Sequence, residues 1–317
     1  MIDVIIPAYN AHKTIEETLS SIAYQDKSEL VTVYIIDDAS SKSYSDIIEF
    51  YSNFIKIKEL RISKNSGPGV ARQYGIDNSK SDYIIFIDSD DVFADCYSIT
   101  TLFNAIKDGD NDLVISNISE ETNNGFITKK NDRVWLHGKI YKRDFLIKNN
   151  IRFNDSRANE DNGFNQLFLL HDPKVKVIDA KTYIWRNNQQ SITRINNYRY
   201  KYEGLEGYIY NINWALDQAI KNKCDKNKIG KLAFSSLVFI YTSYLEFMET
   251  DEVSHLVDKT KPIRKKTLEY PVSDSDKLKL FESQIKAVYT DESKKYLLMP
   301  KILFNDFISL IDQEIKL

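Results

Sequence analysis

Three short segments of this 317-residue chain place acidic side chains where chemistry could use them: Asp37-Asp38, Asp88-Ser89-Asp90-Asp91 and Glu160-Asp161. The second follows the apolar run Tyr83-Ile84-Ile85-Phe86-Ile87. Carboxylates crowded this closely repel one another and favour a cation. Hard divalent ions such as Mg2+ or Mn2+ prefer oxygen ligands and also bind phosphate oxygens. An ion held there could neutralise a diphosphate leaving group. The competing reading is a capping loop for a helix beginning near Asp95, because Asp is also a common turn former.

A fourth segment, Asn65-Ser66-Gly67-Pro68-Gly69-Val70-Ala71-Arg72, brings glycines to the start of a helix. Glycines let a ligand approach the backbone, and a helix N-terminus attracts negative charge. Arg72, one turn further on, could reach that ligand. The spacing matches neither a P-loop nor the Gly-x-Gly-x-x-Gly fingerprint, and an ordinary capped helix start would look the same. Likewise, Glu160-Asp161 taken alone reads as a solvated helix start capped by Asn159.

The elements that must position these residues follow from hydrophobic periodicity. Apolar runs at Val4–Ile6 (ended by Pro7), Val31–Ile36, Tyr83–Ile87 and Leu113–Ile115 read as strands, and Ile57–Ile62 as a weaker one. Helical spacing recurs at Ile15, Leu19 and Ile22, and at Ile47, Ile48 and Tyr51. Helices are also expected from Pro68 to about Ser79 and from about Asp95 to Lys107. This alternation predicts an α/β fold, a mainly parallel sheet flanked by helices. Ligands then bind beyond the carboxyl ends of the strands, where Pro7-Ala8-Tyr9-Asn10, Asp37-Asp38 and Asp88–Asp91 all fall. Thr122-Asn123-Asn124-Gly125 predicts a hairpin tip. Val134–Tyr141 reads as a strand with Trp135, His137 and Lys139 on one face. A helix spans Asp144–Asn149, Phe164 to Leu170 marks another, and Val175–Ile178 and Thr182–Trp185 read as two strands.

From about Tyr198 the patterning becomes purely helical. Three apolar stripes run through Tyr208, Ile212 and Ala215; through Leu232, Ser236, Phe239 and Ile240; and through Leu278, Phe281, Ile285 and Val288. The expected division is 1–197 for the α/β domain, with halves 1–110 and 111–197, and 198–317 for a C-terminal helical module.

Composition narrows the class. Forty-three basic against 46 acidic residues, net −3, does not suit a general nucleic-acid binder. Cys96 and Cys224 form no Cys-x-x-Cys pair, so neither zinc nor a disulfide framework is supported, and a reducing cytoplasm fits. The N-terminus has no basic start and too short an apolar run for a signal peptide. Leu232–Leu245 is short for a bilayer span and carries four Ser and Thr residues, so a buried or interface helix is expected. The basic run Lys259–Lys266 could meet a polyanion or the inner face of a membrane, though such runs are more often solvated loops.

Taken together, the segments resemble the inverting family-2 glycosyltransferases with the GT-A fold. The resemblance rests on Val4–Asn10, on Ile36-Asp37-Asp38-Ala39-Ser40 (with Ala where Gly is commoner), on Asn65–Gly75 and on Asp88–Asp91. It continues through Val134–Phe153, Glu160-Asp161 with Phe164, and Ser191-Ile192-Thr193, covering about residues 2 to 195. It implies roles. Pro7, Ala8, Tyr9 and Asp38 would hold the nucleoside, with Asp38 at the base, and Gly67 and Arg72 would line the pocket. Asp88 would contact ribose, with Ser89 beside it, and Asp90 would coordinate Mn2+ or Mg2+. Asp161 would be the general base, positioned by Glu160. Trp135 could stack on the sugar, and His137 could contact metal or phosphate. Thr193 and Arg194 would belong to a loop closing over the donor.

The implied reaction moves a sugar from a nucleotide diphosphate, UDP foremost, to an acceptor hydroxyl by single displacement. A glycan, a polymer or even a modified nucleic-acid base is left open as acceptor, and self-association through the C-terminal helices is allowed. Two other readings compete. A nucleotidyltransferase would carry a glycine-rich basic loop after the first strand, where this chain has Tyr9-Asn10-Ala11-His12-Lys13. A non-catalytic binding module would not need both Asp90 and Asp161.

Overall fold

The computed structural model describes residues 1–188, 197–244, 253–290 and 303–314. The chain divides into two compact units, Met1–Ile195 and Asn196–Leu317.

The first unit is built on a nine-stranded sheet. Its strands are β1 (Ile2–Ala8), β2 (Val31–Asp37), β3 (Lys56–Arg61), β4 (Tyr83–Phe86), β5 (Val92–Phe93), β6 (Leu113–Thr122), β7 (Gly125–Lys129), β8 (Lys139–Lys142) and β9 (Val175–Trp185). They lie in the order β3-β2-β1-β4-β8-β6-β9-β5, with β7 hairpinned onto β6. Strands β3, β2, β1 and β4 are parallel, in register Ala8↔Asp37 and Ile5↔Phe86, so their carboxyl ends share one edge. β1, β2 and β4 are almost wholly buried apolar runs, as strands covered on both faces must be. The covering helices of the nucleotide half are α1 (Ile15–Ala23), α2 (Ser45–Tyr51), α3 (Pro68–Asn78) and α4 (Ser98–Lys107). Beyond them lie α5 (Arg143–Lys148) and α6 (Glu160–Leu170).

β8 runs antiparallel to β4, pairing Ile84 with Tyr141. Its first residue therefore arrives at the edge where β4 ends. β9 is parallel to β6 and ends at the same edge with Trp185. The sheet thus brings chain from beyond its parallel core back to the strand-end carboxylates.

Several sequence expectations change. Pro7 lies inside β1 rather than ending it. Ile87 N donates to Ile5 O on the β4 side and Asp38 N to Ala8 O on the β2 side. Pro7 therefore points its nitrogen toward β4, which has already stopped, and no ladder bond is lost. Val134–Gly138 is not strand: regular pairing begins only at Lys139. The alternation of Trp135, His137 and Lys139 imitates a period of two, but Gly138 turns through φ +64° and breaks it. The two strands expected at 175–178 and 182–185 are one, β9, carried past bulges opposite Ile115–Ile118. Helix α4 starts at Ser98, with the short β5 between Asp91 and it.

The second unit is helical: α7 (Asn197–Lys221), α8 (Lys226–Tyr244), α9 (Val253–Glu269), α10 (Asp274–Thr290) and α11 (Phe304–Glu314). Phe234 and Tyr241 of α8 meet Phe304 of α11, and Tyr241 also meets Phe307. The basic run is not a loop but part of α9, which contains Pro262. Its charges are matched one by one. Lys259 pairs with Glu206, Lys261 with Asp258, Arg264 with Asp312, Lys265 with Glu269 and Lys266 with Asp217. Among the described residues no helix is long and apolar enough to cross a membrane.

Candidate active site

The loops leaving β1 and β2 are fastened to each other. Asn10 adopts φ +52°, accepts from Ser41 N through Oδ1 and donates its own N–H to Ser40 Oγ. Ala11 N donates to Tyr44 Oη. Ala39 adopts φ +63°, a left-handed conformation that explains why glycine suits this position better. Asp37 is fully buried, accepts from Ser40 N at 2.8 Å and pairs with Arg61. Tyr9 stands 52% exposed at the rim, whereas Ala8 is buried.

Asp38 carries a role that its position alone did not reveal. Its two carboxylate oxygens accept from Ser66 N at 2.8 Å and Gly67 N at 2.7 Å. It thereby clamps the glycine loop to the end of β2. Gly67 sits at φ +92° with Arg157 against it, and Arg157 donates to the Asn65 carbonyl. A Cβ on Gly69 would lie 2.7 Å from the Asn154 carbonyl and 3.2 Å from the Glu160 side chain. The glycine loop and the segment before α6 are therefore in direct contact.

Arg72, only 5% exposed, joins the two acidic motifs. Its Nη2 donates to Asp88 Oδ1 at 2.6 Å and its Nη1 to Glu160 Oε1 at 2.5 Å. Burial works against the charge on Asp88, but the Arg72 guanidinium and His137 outweigh it and hold that carboxyl well below the usual range. Asp161, next to Glu160, goes the other way. Burial, reinforced by the Glu160 carboxylate, pushes its pKa up to about 7 against the opposing pull of Arg72 and of the Asn162 N–H. A carboxylate raised toward neutrality is suited to taking a proton at physiological pH. Glu160 opens α6 after Asn159, which lies at φ +59° and makes no side-chain capping bond, contrary to the expected cap.

At the end of β4, Asp88, Asp91 and His137 each place a ligand atom within 4.8 Å of the others. His137 Nε2 lies 3.5 Å from Asp88 Oδ2 and 3.9 Å from Asp91 Oδ2. Asp91 is 1% exposed and already accepts from Tyr183 Oη at 2.6 Å and Arg186 N at 2.8 Å. Asp90 stands apart from that group and accepts from Asn188 Nδ2 at 2.8 Å. Burial and the neighbouring Asp88 raise both Asp90 and Asp91. That is the signature of negative charge short of a counter-ion, and the oxygen-rich donor set suits a hard divalent cation. Ser89 is half-buried between the two carboxylates.

The ring of Trp135 meets Trp185 at 4.9 Å edge-on, and the Lys129 ammonium lies 4.4 Å from its centroid. His137 stacks on Tyr183 at 4.6 Å. These two side chains are thus packed into an aromatic group at the strand-end edge. Ser191, Ile192, Thr193 and Arg194 lie outside the described residues. The sequence reading gave no role to Asp91, Tyr183, Asn188 or Asn165. The first was quoted within its motif, but the others carry no local signal, since their partners lie 24 to 98 residues away.

Residues 3–159 match the family model described as "Glycosyl transferase family 2". Among curated relatives, the poly(ribitol-phosphate) beta-N-acetylglucosaminyltransferase TarS of Staphylococcus aureus is 29% identical over 205 residues, 59% of this chain and 35% of that one. This chain therefore spans about a third of that relative's length. The crystal structure of S. aureus TarS 1-349 in complex with UDP-GlcNAc superposes with a TM-score of 0.74 at 17% identity, covering 98% of this chain and 90% of that one. The mannosyltransferase PcManGT from Pyrobaculum calidifontis, in complex with GDP-Man and Mn2+, superposes at 0.56 with 12% identity, covering 99% and 86%. At these identities the superpositions show the fold, a GT-A-type sheet with its flanking helices followed by a helical region.

Proposed function

We infer that this chain, which belongs through residues 3–159 to glycosyl transferase family 2, transfers a sugar from a nucleotide diphosphate donor to an acceptor hydroxyl. The observation that carries the reading is the Arg72 bridge. One guanidinium holds Asp88 of the strand-end motif and Glu160 beside the raised carboxyl of Asp161. Groups suited to a diphosphate and a group suited to deprotonating an alcohol therefore belong to one site.

Asp161 would accept the proton of the attacking hydroxyl, and Glu160 would keep Asp161 basic while being held by Arg72. Pro7, Ala8, Tyr9 and the loop clamped by Asp38 would receive the nucleoside, with Gly67 and Arg72 lining its pocket. A divalent cation, Mn2+ or Mg2+, would be held by the Asp88–Asp91 segment, with Asp90 as the expected ligand and His137 beside it. When bound it supplies charge neutralisation for the departing diphosphate; the Mn2+ in PcManGT supports this. One raised carboxyl, Asp161, together with one segment suited to a cation favours single displacement with inversion over a covalent intermediate. The relatives point to a UDP-linked hexose or N-acetylhexosamine as donor and a polymer hydroxyl as acceptor. The second unit would serve acceptor choice or self-association.

The deciding experiment is a nucleotide-sugar hydrolysis and transfer screen with Mn2+, with Mg2+ and with EDTA. Turnover that needs the cation and is lost in Asp90→Asn is expected. Asp161→Asn should lower transfer by roughly 10²–10⁴-fold while leaving donor affinity almost unchanged. Full activity in excess EDTA would refute the metal role. A product keeping the donor's anomeric configuration would refute single displacement.

A further inference from the structure

Lysine is seldom fully buried without strong reason, because its ammonium gives up hydration that few partners restore. Lys139, the first residue of β8, is 1% exposed. Burial lowers its amine to about 8, even with Asp132 and Asp161 pulling the other way. Packing alone would favour an apolar side chain of similar length, so the charge is retained at a cost.

Its contacts show what the charge holds. Lys139 Nζ donates to the Trp135 carbonyl and lies 3.7 Å from Asp132 Oδ1. The same Asp132 oxygen accepts from Val134 N at 2.9 Å and Trp135 N at 2.8 Å. Asn165, on α6 one turn beyond Asp161, donates to the Val134 and Trp135 carbonyls at 2.7 and 3.0 Å. Its Oδ1 accepts from the buried Tyr141 Oη at 2.7 Å. The Trp135 peptide is therefore gripped on both sides: its N–H by Asp132, its C=O by Lys139 and Asn165. Two residues on, His137 reaches Asp88 and Asp91, and Gly138 turns the chain into β8.

We propose that Lys139 is a positioning residue for sugar transfer, fastening the Asp132–Gly138 loop so that His137, with Trp135 packed beside it, stays against Asp88 and Asp91. The side chain touches no substrate group; it acts through the loop. The proposal rests on the transferase reading for its kinetic part only, because the loop's geometry can be read without turnover.

The test uses the full chain labelled with 5-fluorotryptophan, whose three indoles give separate fluorine resonances, with Trp135 assigned by Trp135→Phe. In Lys139→Met, the Trp135 resonance should shift or broaden, kcat for UDP-sugar turnover should fall at least tenfold, and UDP affinity by calorimetry should stay within threefold. Asn165→Ala, which removes the second donor to the same carbonyl, should change resonance and kcat in the same direction, and it serves if Lys139→Met does not fold. An unchanged resonance overturns the proposal, whatever happens to kcat. A shifted resonance with unchanged kcat overturns it too. If the wild-type chain turns over no nucleotide sugar, the transferase reading fails, and the resonance alone decides whether Lys139 fastens the loop.

Discussion

Asp161 is the residue whose environment makes the sharpest demand on solution behaviour. As the proposed base it would be active only when deprotonated, and its pKa is raised to about 7. Activity as kcat/KM should therefore be full above that value and fall about tenfold per pH unit below it. Besides Glu160, the charged groups acting on it are Arg72 and Asp88, and Lys139 in turn feels its charge. Glu160→Gln removes the negative neighbour that disfavours the carboxylate, so the acid limb should move to lower pH. The same change leaves Arg72 with one charged partner and should reduce stability by about 1–3 kcal/mol. A pH–rate profile and a denaturation midpoint check both; an unmoved acid limb would mean that Glu160 does not tune the base. Ala39 makes an opposite demand. A non-glycine residue at positive φ costs about 1–2 kcal/mol, and glycine returns part of that as unfolded-state entropy. Ala39→Gly should thus stabilise the chain by about 0.5–1 kcal/mol without altering kcat.

At the scale of elements, most of the parallel core was legible because β1, β2 and β4 are buried on both faces and appear as almost unbroken apolar runs. Their ends, and with them Asp38 and Asp88, follow from that pattern, whereas β3, which leads to the glycine loop, is charged and half-exposed and gives a weaker signal. The segment from Asp132 to Gly138 was not legible. Alternating side chains suggested a strand, whereas the backbone there is satisfied by Asp132, Lys139 and Asn165 rather than by a neighbouring strand. The fastening of Asp90 to Asn188 is equally tertiary. Element packing also predicts where a methyl group would hurt. Gly69 opens α3 against the Asn154 carbonyl and Glu160. Gly69→Ala should cost about 1–3 kcal/mol by overpacking and should lower kcat as well, because the displaced neighbour adjoins the base. A stability loss with unchanged kcat would show that the clash is absorbed away from Glu160.

At the scale of the whole molecule, the chain divides into two compact units, Met1–Ile195 and Asn196–Leu317. What the sequence could not show was the fate of the basic run. Five cations within eight residues suggest a surface for a polyanion, yet each is matched by a carboxylate of the helical unit. Arg264 donates twice to Asp312 at 2.8 Å, tying α9 to α11. Asp312→Ala should lower the melting temperature, and Lys265→Ala, at an exposed pair, should scarcely move it. Donor hydrolysis should depend on the first unit. If protein ending near residue 195 stays folded yet loses hydrolysis, the helical unit contributes to the chemistry.

The guanidinium of Arg72 is shared between a carboxylate expected to meet the donor and one beside the base. Whatever draws Asp88 toward a bound nucleotide or cation loosens one arm of that fork and leaves the other arm to Glu160. Occupancy on one side is then felt on the other before any acceptor arrives. If the proposed transfer is right, the kinetic consequence expected is a compulsory order: donor first, acceptor second, with initial-rate lines that intersect. Acceptor binding measured without donor should be weak, and UDP should restore it. Severing the fork with Arg72→Met should make the order random, and initial-rate and product-inhibition patterns distinguish the two cases.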